Sequence, residues 1–117
     1  MSIEQIPAVV PVSDMDTARA WYERLVGRPA DNNPMETLAE WRMTDAGWIQ
    51  VFHDPERAGS SLLNFAVDDL EGHLAEVTAR GLAPEGIQPA DKGVRLSAVI
   101  DPDGNRITVI GGFRNVY

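Results

Sequence analysis

Apolar and polar positions follow two periods along this chain, and the order of those periods occurs twice. Residues 5–12 alternate as a strand, with Ala8, Val10 and Val12 on one face and Pro7, Val9 and Pro11 on the other. Two prolines at that spacing predict an edge strand, or one with an unpaired side. The period then becomes helical. Met15, Ala18, Tyr22 and Leu25 form an apolar stripe with Trp21 beside it. Ser13 or Asp14 is the expected cap, Asp16 suits the first turn, and Gly27 is the expected stop. Residues 28–36, with two prolines and two asparagines, read as a loop. Residues 38–44 and 48–53 read as a hairpin around Asp45-Ala46-Gly47.

The same order returns in the second half. Residues 61–67 repeat the first strand, and Asp68 or Asp69 caps a second helix with Leu70, Leu74 and Val77 as its stripe. Residues 83–92 are loop-like. Residues 94–100 and 105–110 form a last hairpin around Asp101-Pro102-Asp103-Gly104, a sequence suited to a type I turn. Asp14 and Asp69 lie 55 positions apart, and Gly27 and Gly81 lie 54 apart. Trp48-Ile49-Gln50-Val51-Phe52 resembles Arg106-Ile107-Thr108-Val109-Ile110 at an offset of 58. Two copies of one strand–helix–strands module are expected, with mixed sheets and a helix on one face of each.

Composition narrows the function classes. The 117 residues suffice for one domain. A net charge of −8 repels phosphate backbones, which argues against nucleic acid as a partner. No apolar run approaches membrane-spanning length, so no membrane partner is expected. Cysteine is absent, which removes disulfides and thiolate chemistry. The first ten residues include Glu4 and Pro7 and lack a basic start, so no signal peptide is expected and a cytoplasmic location is.

Val12-Ser13-Asp14-Met15-Asp16 with Trp21-Tyr22 and Gly27, followed by Asp101-Pro102-Asp103-Gly104-Asn105-Arg106, resembles the vicinal oxygen chelate superfamily. That superfamily includes glyoxalase I, extradiol dioxygenases, fosfomycin-resistance enzymes and bleomycin-binding resistance proteins. The resemblance implies an α+β fold: two βαβββ modules forming a curled mixed-sheet cup, with helices on the convex face. It covers residues 1–117 as a single domain, with module one at about 1–57 and module two at about 58–117. Strand parity then puts Ile49, Val51, Ile107 and Val109 under the helices. Trp48, Gln50, Phe52, Arg106, Thr108 and Ile110 face the cup, as do Pro7, Val9, Leu62 and Asn64.

Metal-dependent members place ligands at four positions that map here to Pro7, Gln50, Leu62 and Thr108. Two of these have no donor atom and two offer neutral oxygens, so no metal and no other cofactor are expected. His53 and His73 have no spaced ligand-type partner, and each is expected to be hydrogen-bonded or solvated. Glu40 and Arg42 share a strand face, read chiefly as an exposed charge pattern.

No nucleophile motif or phosphate loop occurs, and whether the chain is an enzyme stays open. The leading expectation is binding of a small, largely apolar or aromatic organic molecule in the cup, as in the bleomycin-resistance branch. The predicted contacts are Trp48, Gln50, Phe52, Asn64 and Thr108, lining one cavity. The alternative is a metal-independent glyoxalase-like lyase or isomerase acting in the same cup. A homodimer is expected, because a half-cup leaves an apolar concave face to cover.

Overall fold

A computed structural model describes residues 2–117. The first module runs β1 (Ile6–Val12), α1 (Met15–Val26), β2 (Asn32–Met35), β3 (Leu38–Arg42) and β4 (Gly47–His53). The second runs β5 (Leu62–Val67), α2 (Leu70–Ala79), β6 (Gln88–Pro89), β7 (Arg95–Ile100) and β8 (Arg106–Gly111), with a short 3₁₀ turn at Asp91–Gly93. Each module forms its own four-stranded mixed sheet, in the orders β1-β4-β3-β2 and β5-β8-β7-β6. The pairs β1–β4 and β5–β8 are parallel, and the others are antiparallel. This is the expected α+β architecture of two repeated modules.

Both fourth strands, β2 and β6, lie in segments expected to be loops. The reason is local. They are short, contain Pro34 or Pro89, and pair irregularly or over two residues only. Such edges carry almost no alternating pattern to read.

The helices form where the stripes predicted them. Asp14 accepts the Thr17 backbone N–H at 3.1 Å, and Asp69 accepts that of Gly72 at 3.1 Å. Gly27 closes α1 with a φ of 91°, donating its N–H to the Glu23 carbonyl. Met15, Ala18, Trp21, Tyr22 and Leu25 are buried against Val10, Val51, Ile49 and Trp41. Leu70 and Val77 are buried under α2, while Leu74 is only half-buried.

Prolines decide why there are two sheets and not one. Ile6 donates its N–H to Ala46 and Val12 accepts from Asp54, so the even positions of β1 bond toward β4. Pro7, Val9 and Pro11 therefore face the free edge, and two of these three lack a donor. No ladder can form from β1 to the neighbouring β5. Side chains bridge the gap instead. Asn105 Nδ2 donates to the Pro11 carbonyl at 2.8 Å, and Ser61 Oγ to that of Val9 at 3.5 Å.

This seam is locked by one buried carboxylate. Asp101 accepts the Tyr22 hydroxyl at 2.8 Å, the Asn105 backbone N–H at 2.8 Å and side-chain amide at 2.8 Å, and the Asp103 N–H at 3.0 Å. Tyr22 comes from module one and Asp101 from module two. Asp101 was expected only to shape a turn; it is also the point where the modules join. At the far end of α1, Arg80, which caps the end of α2, donates to the Leu25 and Arg24 carbonyls.

Burial, the Asp101 charge and its hydrogen bond hold the Tyr22 phenol far above its ordinary pKa of 10.0. The folded protein thus keeps a proton that the unfolded chain releases near pH 10. Stability is fully present below that pH and falls as pH rises through it. Urea unfolding between pH 9 and 11 should show this loss, and Tyr22→Phe should remove most of the slope.

Candidate functional site

Register fixes what faces the concave side of module one. Gln50 pairs with Val9 and with Glu40, and Phe52 with Pro11 and Leu38. Val9, Pro11, Leu38, Gln50 and Phe52, with Asp54, Arg57, Ser60 and Ser61 at the rim, line a depression of about 570 Å³. Its walls are apolar (Val9, Pro11, Leu38, Phe52). Its one amide, Gln50, is held by a neighbour that does not line it: Gln50 Nε2 donates to Glu40 Oε2 at 2.7 Å. Gln50 therefore spends an amide proton inside the protein and leaves its carbonyl oxygen for a guest. Asn32 Nδ2 approaches the other Glu40 oxygen at 3.5 Å. At the rim, Arg57 is neutralised by Asp54 at 2.9 Å.

Glu40 was expected to belong to an exposed charge pattern. It is half-buried and bonded to Gln50, and does not itself line the cup. Arg42 shares the strand but serves elsewhere: it donates to the Asp45 carbonyl at 2.6 Å and stands 6.0 Å from the Trp48 ring centre. The sequence signal for Glu40 was its place two residues before Arg42, opposite Gln50, which becomes visible only once the β3–β4 register is known.

The five predicted contacts do not share one cavity within a single chain. Gln50 and Phe52 meet in the module-one cup. Trp48 and Asn64 line a separate crevice of about 410 Å³ at the seam. Thr108 pairs with Asn64 and Ala98 in the sheet of module two. The face assignments themselves agree with the structure. Ile49, Val51, Ile107 and Val109 are all buried on the helix side. Trp48 points as parity requires but lies at the start of β4 beside Pro7, where its indole N–H donates to Gln5 at 2.9 Å.

The family's metal positions fall at Pro7, Gln50, Leu62 and Thr108. Pro7 and Leu62 supply no donor, and Gln50 and Thr108 offer only neutral oxygens. Among the described residues no three His, Asp or Glu side chains gather in a metal-binding group. The donor set present does not fit a divalent transition metal. His53 is exposed at the end of β4. His73 departs from expectation: its Nε2 is buried and bonded to nothing. Desolvation lowers its pKa, with Glu76 opposing and Arg80 reinforcing the shift.

Residues 8–110 match the model of the glyoxalase-like domain. The chain belongs to that family. Its organisation is that of the vicinal oxygen chelate superfamily. No curated protein matches this glyoxalase-like chain. Among solved structures, it is similar to a glyoxalase/bleomycin resistance protein from Catenulispora acidiphila DSM 44928. Identity there is 31%, over 92% of this chain and 96% of that one, with a TM-score of 0.86. It also resembles TnmS3, an antibiotic binding protein from Streptomyces sp. CB03234. Identity is 25%, over 95% and 98% of the two chains, with a TM-score of 0.74. A glyoxalase/bleomycin resistance protein from the same Streptomyces strain matches at 25% identity, over 90% and 97%, with a TM-score of 0.69. Among the described residues, no helix is long and apolar enough to cross a membrane.

Proposed function

We propose that this glyoxalase-like protein binds a small, flat, largely apolar organic molecule in the module-one cup, without a metal. One observation carries the reading: a depression with apolar walls and a polar rim, in which the side-chain amide of Gln50 is held in place by Glu40. Ligand sites commonly combine apolar walls with a few orienting polar groups. Phe52 supplies the aromatic wall. The antibiotic-binding relative TnmS3 supports the class of ligand. The absence of cysteine suits a cytoplasmic setting.

The open cup calls for a lid, and a second copy of the chain supplies one. Val9 (52% exposed) and Phe52 face solvent in module one, and Leu62 (80% exposed) does so in module two. A homodimer that sets module one against module two of its partner would cover all three. It would also bring Asn64 and Thr108 of one chain toward Gln50 and Phe52 of the other. Light scattering at micromolar concentration should give about twice the 12.8 kDa chain mass. A monomer would remove the lid from the proposal.

A second reading rests on Glu40. Its carboxyl touches the cup residue Gln50, and a metal-independent lyase or isomerase would use it as the general base once a substrate had displaced that amide.

A thermal-shift screen of flat aromatic compounds tests the binding reading. A ligand of the native state raises the midpoint. Phe52→Ala should weaken any such compound by about 1–3 kcal/mol, the range for an aromatic anchor. Hits that bind the variant equally well would place the site elsewhere.

A further inference from the structure

Gln50 stands between two neighbours of different chemistry. In the sheet of module one it pairs with Glu40 of β3 on one side and with Val9 of β1 on the other. A carboxylate accepts hydrogen bonds and donates none. Glu40 therefore decides which way the Gln50 amide points. Nε2, which carries both amide protons, turns toward β3 and donates at 2.7 Å. Oε1 is left on the β1 side, toward Val9. Val9 lines the cup and Glu40 does not. Oε1 has no hydrogen-bond partner among the described residues, yet it is not buried: the one buried, unpaired side-chain atom among them is His73 Nε2. Gln50 thus presents an open acceptor to the cavity it lines.

The other polar groups around the cup have spent their protons within the protein. Ser60 Oγ donates to the Arg57 carbonyl at 2.6 Å, and Ser61 Oγ to the Val9 carbonyl at 3.5 Å. The Ser61 backbone N–H goes to Asn105 Oδ1 at 2.9 Å, and that of Asp54 to the Val12 carbonyl at 3.0 Å. The Asp54 carboxylate only accepts. Arg57 is the exception, but its guanidinium is bound to Asp54 at 2.9 Å and its side chain is 79% exposed. The lining that meets a guest is therefore rich in lone pairs and poor in free protons.

We propose that the cup selects flat aromatic molecules carrying a hydrogen-bond donor on one edge, such as a ring N–H, and that Glu40 sets this preference by holding the Gln50 amide. The preference rests on the cup being a ligand site, and it names what the ligand offers there. A guest with acceptors alone would meet Gln50 Oε1 with no proton to share, and both groups would stay unpaired between apolar walls. An anionic guest is disfavoured further by the chain's charge of −8. Glu40 is a positioning residue, because it acts through Gln50 and does not line the cup.

Indole and benzofuran test this, since they share a shape and differ in one ring position, N–H against O. Each would be titrated into nitrogen-labelled protein and followed by NMR. The expected result is saturable shifts at Val9 and Phe52 with both probes. Indole should bind about fivefold more tightly, the yield of one neutral hydrogen bond. Gln50→Leu should bring the probes to near equality while benzofuran still binds, because the apolar walls remain. Glu40→Gln should shrink the preference too: a neutral amide either donates or accepts, so Gln50 is free to turn its N–H arm to the cup. A purely structural loss would weaken both probes alike and leave their ratio as it is in the parent. An indole preference that survives Gln50→Leu would overturn the proposal, moving the donor contact to another acceptor. A ratio unchanged in Glu40→Gln would overturn the positioning role. Equal binding of the two probes to the parent at Val9 and Phe52 would overturn the donor requirement and leave the cup standing as a ligand site. No shift at Val9 or Phe52 with either probe, up to their solubility limits, would remove the site and the preference together.

Discussion

Replacing Asp101 with Ala is expected to lower stability by about 3–5 kcal/mol, the range for removing one member of a buried charged network. Asp101 is 4% exposed and accepts four hydrogen bonds. Its loss leaves the Tyr22 hydroxyl, which sits in a fully buried side chain, without an acceptor. It also releases Asn105, whose amide is the bridge to the Pro11 carbonyl. Because the prolines of β1 forbid a ladder, nothing in the backbone substitutes for that bridge. The damage should fall on the seam between the modules. Urea unfolding measures the size of the loss, and hydrogen exchange its place. Amides of β1 and β5 should lose protection before those of β4 and β8. A variant within 1 kcal/mol of the parent would show that apolar packing alone holds the modules together.

Gly59→Val should be the next most damaging change, at about 2–4 kcal/mol. Gly59 has a φ of 87°, a region that costs any side-chain-bearing residue strain. A Cβ placed there would also lie 2.3 Å from the Asp103 carbonyl oxygen. That atom is backbone in a tight turn and cannot step aside. The loop joining the modules would be pushed off the 101–104 turn, which Ser13 also grips through the Asp103 carboxyl. Gly86→Ala is the matched control. Gly86 has no positive φ and open space around its Cα, so its substitution should stay within about 0.5 kcal/mol. Denaturant midpoints with an unchanged slope would confirm that both effects are on stability. Equal effects at the two glycines would contradict the steric argument.

Much of the fold was legible because its signals are periodic. Met15, Ala18, Tyr22 and Leu25 could only be a helix stripe, and all four are buried. The doubled order of strand, helix and strands announced the two sheets. Pro7 and Pro11 announced an edge, and β1 is one. What escaped was whatever depends on contacts distant in sequence. Asp101 reads as a turn residue because its turn is local, whereas Tyr22 lies 79 positions away. Parity gave Trp48 and Gln50 one face, as the structure does. It could not say that Trp48, at the start of β4, and Gln50, at its middle, line different cavities. Glu40 escaped for a similar reason: the period of its strand was clear, but its register against Gln50 was not. His73 looked like an ordinary outer residue because helical spacing says nothing about how closely a second module approaches.

The central claim is that the module-one cup holds a small organic molecule against Phe52 and Gln50. Its most direct test is nuclear Overhauser contact between the strongest thermal-shift hit and the protein in solution. The predicted result is contact from the ligand to the Phe52 ring and the Val9 methyl groups, with the Gln50 side-chain amide shifting as the site fills. Contacts confined to Trp48 and Phe65 at the seam, with the Gln50 amide unmoved, would contradict it.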